Sequence, residues 1–290
     1  MPSVDVRQEA GDQFESLAER LQHIAQEIVP VAELVTQLPL PDQVGIRTMT
    51  IPDWLRAHRD SADQQLHTEA AELSPSRTDM REARELHQTR LREVRLLWPT
   101  VGGQAVKWEP GQPEVVVLPA ALQQAGRLHD DPFLYRVLAH EMTRIAQYTA
   151  SSGTLWASQY TFFPQLRGVW GWDYPFLTEC HAHEAAQRIT TKLLGHPVPA
   201  NAPSPYATVR YRNLWANPQR QALATRHLKG AEAVAQIINT HRLDVFNRVW
   251  TIPALAPLRA ETHSKAAAWQ ARFATLTPEG AAPPWGPYVT

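Results

Sequence analysis

The segment Ala139-His140-Glu141-Met142-Thr143-Arg144 sets a histidine beside a glutamate and an arginine four residues after the histidine. Two histidines at i and i+4 on a helix share a face and can hold zinc, and a glutamate directly after the first can take a proton from metal-bound water. Here the first histidine and the glutamate are present, but Arg144 stands where the second histidine belongs. A His-Glu pair alone is common and carries little. Its context adds weight: a strand-like run, Glu114 to Leu118, and a second segment rich in acid and histidine, Thr178-Glu179-Cys180-His181-Ala182-His183-Glu184. Glu179 and His183 are one helical turn apart and share a face, either as paired site groups or as an exposed polar surface. Cys180 beside Glu179 is a thiolate nucleophile on one view and a small packed residue on the other, the second being the commoner role. His129-Asp130-Asp131 reads as a helix entry before it reads as a ligand set. Trp156, Trp170, Trp172 and Tyr174, between the two site segments, either fill the core or wall a pocket.

These residues need elements to position them. Asp131 and Pro132 suit an N-cap and first turn, predicting a helix to about Ala150; the second site segment lies on a helix from about Phe176 to Leu194, stopped by Gly195 and Pro197. Before them, Phe14, Leu17, Leu21, Ile24 and Ile28 recur at helical steps, predicting a helix over 12–29 capped by Asp12 and ended at Pro30. Helices follow from Pro52-Asp53 toward Leu73 and over 77–97, the latter a solvated face of mixed charge with a Leu91-Val94-Leu97 seam. Two β-like runs, 105–108 and 114–118, predict a small sheet or hairpin. Further helices are predicted at 206–216, 218–229, 230–241 and 264–275, after a proline-rich linker at 196–205, with an irregular tail at 281–290. The expected fold is mainly α with a small central β-sheet or hairpin. Residues 1–98 form an N-terminal helical region and 99–290 the core with C-terminal helices, together one compact unit.

Composition narrows the function classes. The 290 residues carry 28 Lys plus Arg against 29 Asp plus Glu, so the basic excess of a nucleic-acid or anionic-membrane binder is missing. One cysteine excludes an intrachain disulfide and any multi-cysteine metal site. The start lacks a basic region followed by an apolar run, and no stretch nears the roughly 18 apolar residues of a membrane span. The expectation is a cytoplasmic protein with no nucleic-acid or membrane partner, acting on a small-molecule or peptide substrate.

Three stretches together resemble the zincin-like metallopeptidases of the second type, a group that includes actinobacterial hydrolases associated with coenzyme F420 biosynthesis. They are Val115-Val116-Val117-Leu118-Pro119 leading into Ala139-His140-Glu141-Met142-Thr143; Leu177-Thr178-Glu179-Cys180-His181-Ala182; and Asp244-Val245-Phe246-Asn247-Arg248-Val249-Trp250 with Pro253 and Ala268-Trp269-Gln270-Ala271-Arg272. The resemblance covers roughly 110–275. It implies a zincin-like metallopeptidase fold, ligands at His140, the position of Arg144 and Glu179, Glu141 as general base, and His183 in support.

Arg144 departs from that pattern. Arginine stays protonated and is a very poor zinc ligand. About 4 Å from a dication it costs roughly 8 kcal/mol at an effective dielectric near 20, a large part of what a good zinc site supplies. Its guanidinium can instead fork onto Glu179 or Glu141 and replace the metal as the positive centre. The favoured expectation is an enzyme without bound zinc, in which His140, Glu141, Glu179 and His183 do acid/base work around Arg144: proton transfer, cyclisation or elimination on a small molecule. Arg144 would keep Glu141 ionised and stabilise a developing anion or bind a substrate carboxylate. The first alternative is a zinc hydrolase with ligands rebuilt from His140, Glu179 and His183 (or His181). The second is a non-catalytic relative that binds a ligand or partner.

Overall fold

The computed structural model describes residues 2–108, 111–199, 203–264 and 266–277. In chain order, β1 (Ser3–Gln8), α1 (Glu15–Thr36), β2 (Gln43–Thr48), α2 (Ile51–Leu73) and α3 (Arg77–Leu97) lead to β3 (Gly103–Lys107) and β4 (Pro113–Val117). Then come α4 (Pro119–Ala125), α5 (Asp131–Ala150), α6 (Thr154–Tyr160), α7 (Tyr174–Leu194), α8 (Val209–Trp215), α9 (Pro218–His241), α10 (Leu243–Phe246), α11 (Arg259–Ser264) and α12 (Ala266–Leu276). The molecule is mainly α with a small sheet, as the pattern predicts. The tail at 281–290 lies outside the described residues.

The sheet has the order β1-β2-β4-β3; β1, β2 and β4 run parallel, and β3 lies antiparallel on the outer side of β4. Every residue of β4 is buried, as its unbroken valine run requires of a central strand. β1 and β2 were not among the expected elements. Their register sets Val4 against Val44 and Val6 against Ile46, so two short alternating hexapeptides become strands by pairing with each other and with β4. The sheet therefore takes strands from both sides of residue 98.

Two expected boundaries are overridden by packing. Pro30 does not end α1, which runs on to Thr36. A proline inside a helix costs about 3 kcal/mol. Leu17, Leu21, Ile24, Ile28, Val29, Ala32 and Val35 of the same helix are buried in the main core, and that burial outweighs the loss. The expected helices 218–229 and 230–241 are one continuous α9, through Gly230. Asp12 sits in a short 3-10 turn and caps nothing with its side chain. For α5 the cap is Asp130, which accepts from the Phe133 amide at 3.1 Å, and Asp131 is the first helical residue.

The site is framed by helices. α7 packs between α5 and α9, and α1 lies against both α5 and α7. On α9, a Cβ at Gly230 would run into Cys180 Sγ and meet the Phe176 ring 2.6 Å away, so glycine is what allows α9 to close onto α7. On the sheet side, Gly103 lets β3 approach α5, where an added Cβ would lie 2.5 Å from Val137 Cγ1. The Phe246–Trp250 stretch is structural. Phe246 and Trp250 are buried on the His181 ring, the Asn247 side-chain amide donates to Thr36 O at 2.8 Å, and Trp269 Nε1 donates to Leu255 O at 2.8 Å. Among the described residues no helix is long and apolar enough to cross a membrane.

Candidate functional site

Helical spacing places Arg136, His140, Arg144 and Gln147 along one stripe of α5, with Glu141 at its edge. Thr178, Glu179 and His183 face that stripe from α7. Four of the expected site residues, His140, Arg144, Glu179 and His183, meet at this seam, and Glu141 adjoins it beside His140. Glu179 is its centre: Oε1 accepts from Arg144 Nη1 at 2.6 Å, and Oε2 lies 3.2 Å from His140 Nε2. The guanidinium of Arg144, a residue 3% exposed, also donates to Thr178 Oγ1 at 2.8 Å and to the Tyr160 hydroxyl at 3.3 Å, and it lies over the Trp156 ring at 5.6 Å. Its two terminal nitrogens thus tie Glu179, Thr178 and Tyr160 together. The His140 and His183 rings meet edge to face at 4.7 Å, and His227 of α9 stands 6.2 Å beyond His183. Arg136 Nη2 is 3.2 Å from His183 Nδ1.

Glu141 points to the sheet. Its Oε2 accepts the Ala105 amide of β3 at 2.7 Å, on the edge of β3 that β4 leaves open. Burial pushes its carboxyl above the usual range, and Glu179 adds to the rise; His140, Arg144 and the Ala105 amide only partly offset it. Arg144 favours the ionised form of Glu141, but its guanidinium is bonded to Glu179, and burial outweighs its effect on Glu141. For Glu179, burial acts upward too, but Arg144 and His140 outweigh it and hold the carboxyl well below its usual range. The two carboxyls are split by their surroundings, Glu179 lowered and Glu141 raised. Burial is also the main cause that lowers the histidines, His183 to about 2 and His227 by less, so both rings are neutral.

The site has two faces. Toward β3 lies a cleft of about 750 Å³ bounded by α2, α3, β3 and α6, into which Ala105, Trp156 and Tyr160 project. Glu69 and Arg90 fix its inner end by bonding the backbone at 160–162. Of the expected aromatic wall, Trp156 lines this cleft. Trp170, Trp172 and Tyr174 do not: Trp170 is under Arg259, and Trp172 is stacked on Tyr174. The other face opens at Glu179, whose side chain is 30% exposed, between His183, His227 and Arg136.

His181 turns away from this seam. It is buried against Phe246 and Trp250, bonded to Gln147 Nε2 at 3.0 Å, and its ring is held neutral by burial, its pKa lowered to about 3. Cys180 is fully buried beneath Gly230, and burial pushes its thiol up, away from thiolate chemistry. Tyr160, Thr178, His227 and Arg136 were not among the expected site residues. Arg136 had a signal in its place one turn before His140, and Thr178 in its place beside Glu179; Tyr160 and His227 come from elements that meet only in the folded chain.

Glu179, His183 and His227 offer ligand atoms all within 4.8 Å of one another, the one such group among the described residues. Their surroundings do not fit a zinc ion. A metal on His183 Nε2 needs the ring proton on Nδ1, and that proton would face the Arg136 donor instead of an acceptor. Arg144 already holds Glu179. No family model, curated protein or solved structure matches the chain.

Proposed function

We propose that this chain is an enzyme on a zincin-like scaffold that has exchanged its metal for a guanidinium and runs acid/base chemistry on a small molecule. The observation that carries the reading is Arg144, which stands at the second-histidine position and binds Glu179 Oε1 at 2.6 Å. In this reading Glu141 takes a proton from the substrate and returns it. A carboxyl raised by burial is a stronger base than an exposed one. Glu179, kept anionic by Arg144 and His140, raises Glu141 further and fixes the His140 ring through Nε2. The Ala105 amide, on the open edge of β3, aims the Glu141 carboxylate. Proton transfer, with cyclisation or elimination following from it, is the reaction class.

Exchange of carbon-bound protons tests this with no substrate named in advance. The protein in D2O is incubated with a panel of small carbonyl and carboxylate compounds, and the exchange is followed by NMR. The parent chain should accelerate exchange on at least one compound, and Glu141→Gln should slow that exchange by roughly 10²–10⁴-fold, as expected for loss of a general base. An unchanged rate in Glu141→Gln would place the chemistry elsewhere.

A further inference from the structure

The cleft of about 750 Å³ between α2, α3, β3 and α6 has the size that small organic ligands fill. Glu141, Arg144 and Glu179 do not line it, so it stands apart from the acid/base seam, which it meets at Tyr160. Two groups of half-buried rings wall it. Tyr148, Trp156 and Tyr160, at the end of α5 and on α6, form a ladder with centroids 5.6 and 5.5 Å apart. His58 of α2 and Trp108, just after β3, meet edge to face at 4.9 Å. Hydrogen bonds fix these rings in place: Trp108 Nε1 donates to Glu114 Oε1 at 2.7 Å, His58 Nε2 lies 3.2 Å from Gln104 Oε1, and the Tyr160 hydroxyl accepts from Arg144. Rings already held suit a planar aromatic ligand, because little side-chain order is lost when it stacks.

Arg90 of α3 supplies the charge. It lines the cleft, lies over the Phe162 ring at 4.7 Å, and donates to Tyr160 O at 2.6 Å and Thr161 O at 3.2 Å. Both acceptors are neutral carbonyls, and among the described residues no carboxylate pairs with Arg90. The acids that line the same cleft are placed otherwise. Glu69 accepts from the Phe162 amide at 2.8 Å and the Thr161 hydroxyl at 2.9 Å, Glu72 binds Arg167, and Glu93 is exposed, where water screens it. A half-buried guanidinium left so gains from an anion that completes its fork.

We propose that this cleft binds a planar aromatic carboxylate, with the ring between the two ring groups and the carboxylate on Arg90. A single guanidinium without a counterion matches a single negative charge, and its planar fork matches a carboxylate. The proposal concerns binding alone and does not rest on Glu141 as a base.

The experiment is isothermal titration of 2-naphthoate into the full chain at constant ionic strength, beside its neutral isostere 2-naphthamide and the cationic 2-naphthylmethylammonium. 2-Naphthoate should bind saturably, and about 10-fold or more tightly than either isostere. Arg90→Gln should weaken 2-naphthoate on the order of 10–100-fold, the scale of a lost charged hydrogen bond, and 2-naphthamide much less, so that the preference for the anion disappears. Trp108→Leu should weaken both. Arg20→Gln, on α1 and outside the cleft, should change neither. Arg90 also ties down the backbone at 160–161. If Arg90→Gln does not fold, Arg90→Lys, which keeps the charge and loses the fork, should still weaken 2-naphthoate, by a smaller factor, and the order of the three probes on the parent chain needs no variant. No saturable binding of 2-naphthoate, equal affinity for its isosteres, or unchanged affinity in Trp108→Leu or in a folded Arg90 variant overturns the proposal. 2-Naphthoate binding together with unchanged proton exchange in Glu141→Gln would keep the cleft proposal and sink only the catalytic reading. The reverse pair of results would sink only the cleft.

Discussion

Arg144→His exchanges a guanidinium for an imidazole at the position where the metal motif has its second histidine. His140, the new imidazole and Glu179 would then offer three ligands around an open fourth position. Zinc affinity, measured by competition with a chromogenic chelator, should rise by orders of magnitude over the parent. A folded variant that binds zinc no more tightly would show that Glu179 does not face position 144. This much was legible in the sequence, because 140, 141 and 144 are tied by helix geometry alone, as are 179 and 183. What Arg144 does there was only half legible. Its charge excludes it as a ligand from first principles, but its choice of Glu179 over Glu141 depends on Tyr160 and Thr178 bonding the same guanidinium, and on Ala105 taking Glu141. Tyr160 and Ala105 lie on other elements, and no spacing rule reaches them.

At the scale of elements, two glycines set the distances on which the site depends. Gly230→Ala would gain up to about 1 kcal/mol in helix propensity. It would also force the α7–α9 contact apart at Cys180 and Phe176, at a cost of about 1–3 kcal/mol for overpacking. The expected result is a net fall in stability in denaturant titration, partly restored by adding Cys180→Ala. No fall would mean that α9 does not sit this close to α7. Gly103→Ala should likewise push β3 off Val137 and break the Ala105–Glu141 bond, slowing proton exchange more than it lowers stability. The helices were legible from their apolar period and caps, and β4 from its valine run. β1 and β2 were not, since two valines in Ser3–Gln8 make a strand only when a partner lies alongside. Pro30 misled for the opposite reason: a local breaker yields when a helix buries this much apolar surface.

The whole molecule should lose stability in acid through histidines that burial keeps neutral. His58 lies between Trp54 and Trp108, bonded to Gln104 Oε1 at 3.2 Å, and burial lowers its pKa to about 4. The unfolded chain takes up this proton near pH 6.5 and the folded chain only near pH 4. Between these values the unfolded state binds more protons, so stability is full above about 6.5 and falls as the pH drops toward 4. The loss from His58 is up to about 3 kcal/mol at 1.36 kcal/mol per unit. His58→Phe should flatten the dependence of stability on pH over this window, read by urea denaturation at several pH values. An equally steep fall in the variant would assign the acid response to other groups. Whether a guanidinium or a metal is the positive centre of the molecule is tested most directly by the metal content of the intact protein. Chain produced with zinc available, purified without chelator and dialysed, is assayed by plasma mass spectrometry. The guanidinium reading predicts well under one equivalent of tightly bound transition metal. One equivalent of zinc that survives dialysis, and is lost in Glu179→Gln, would contradict it.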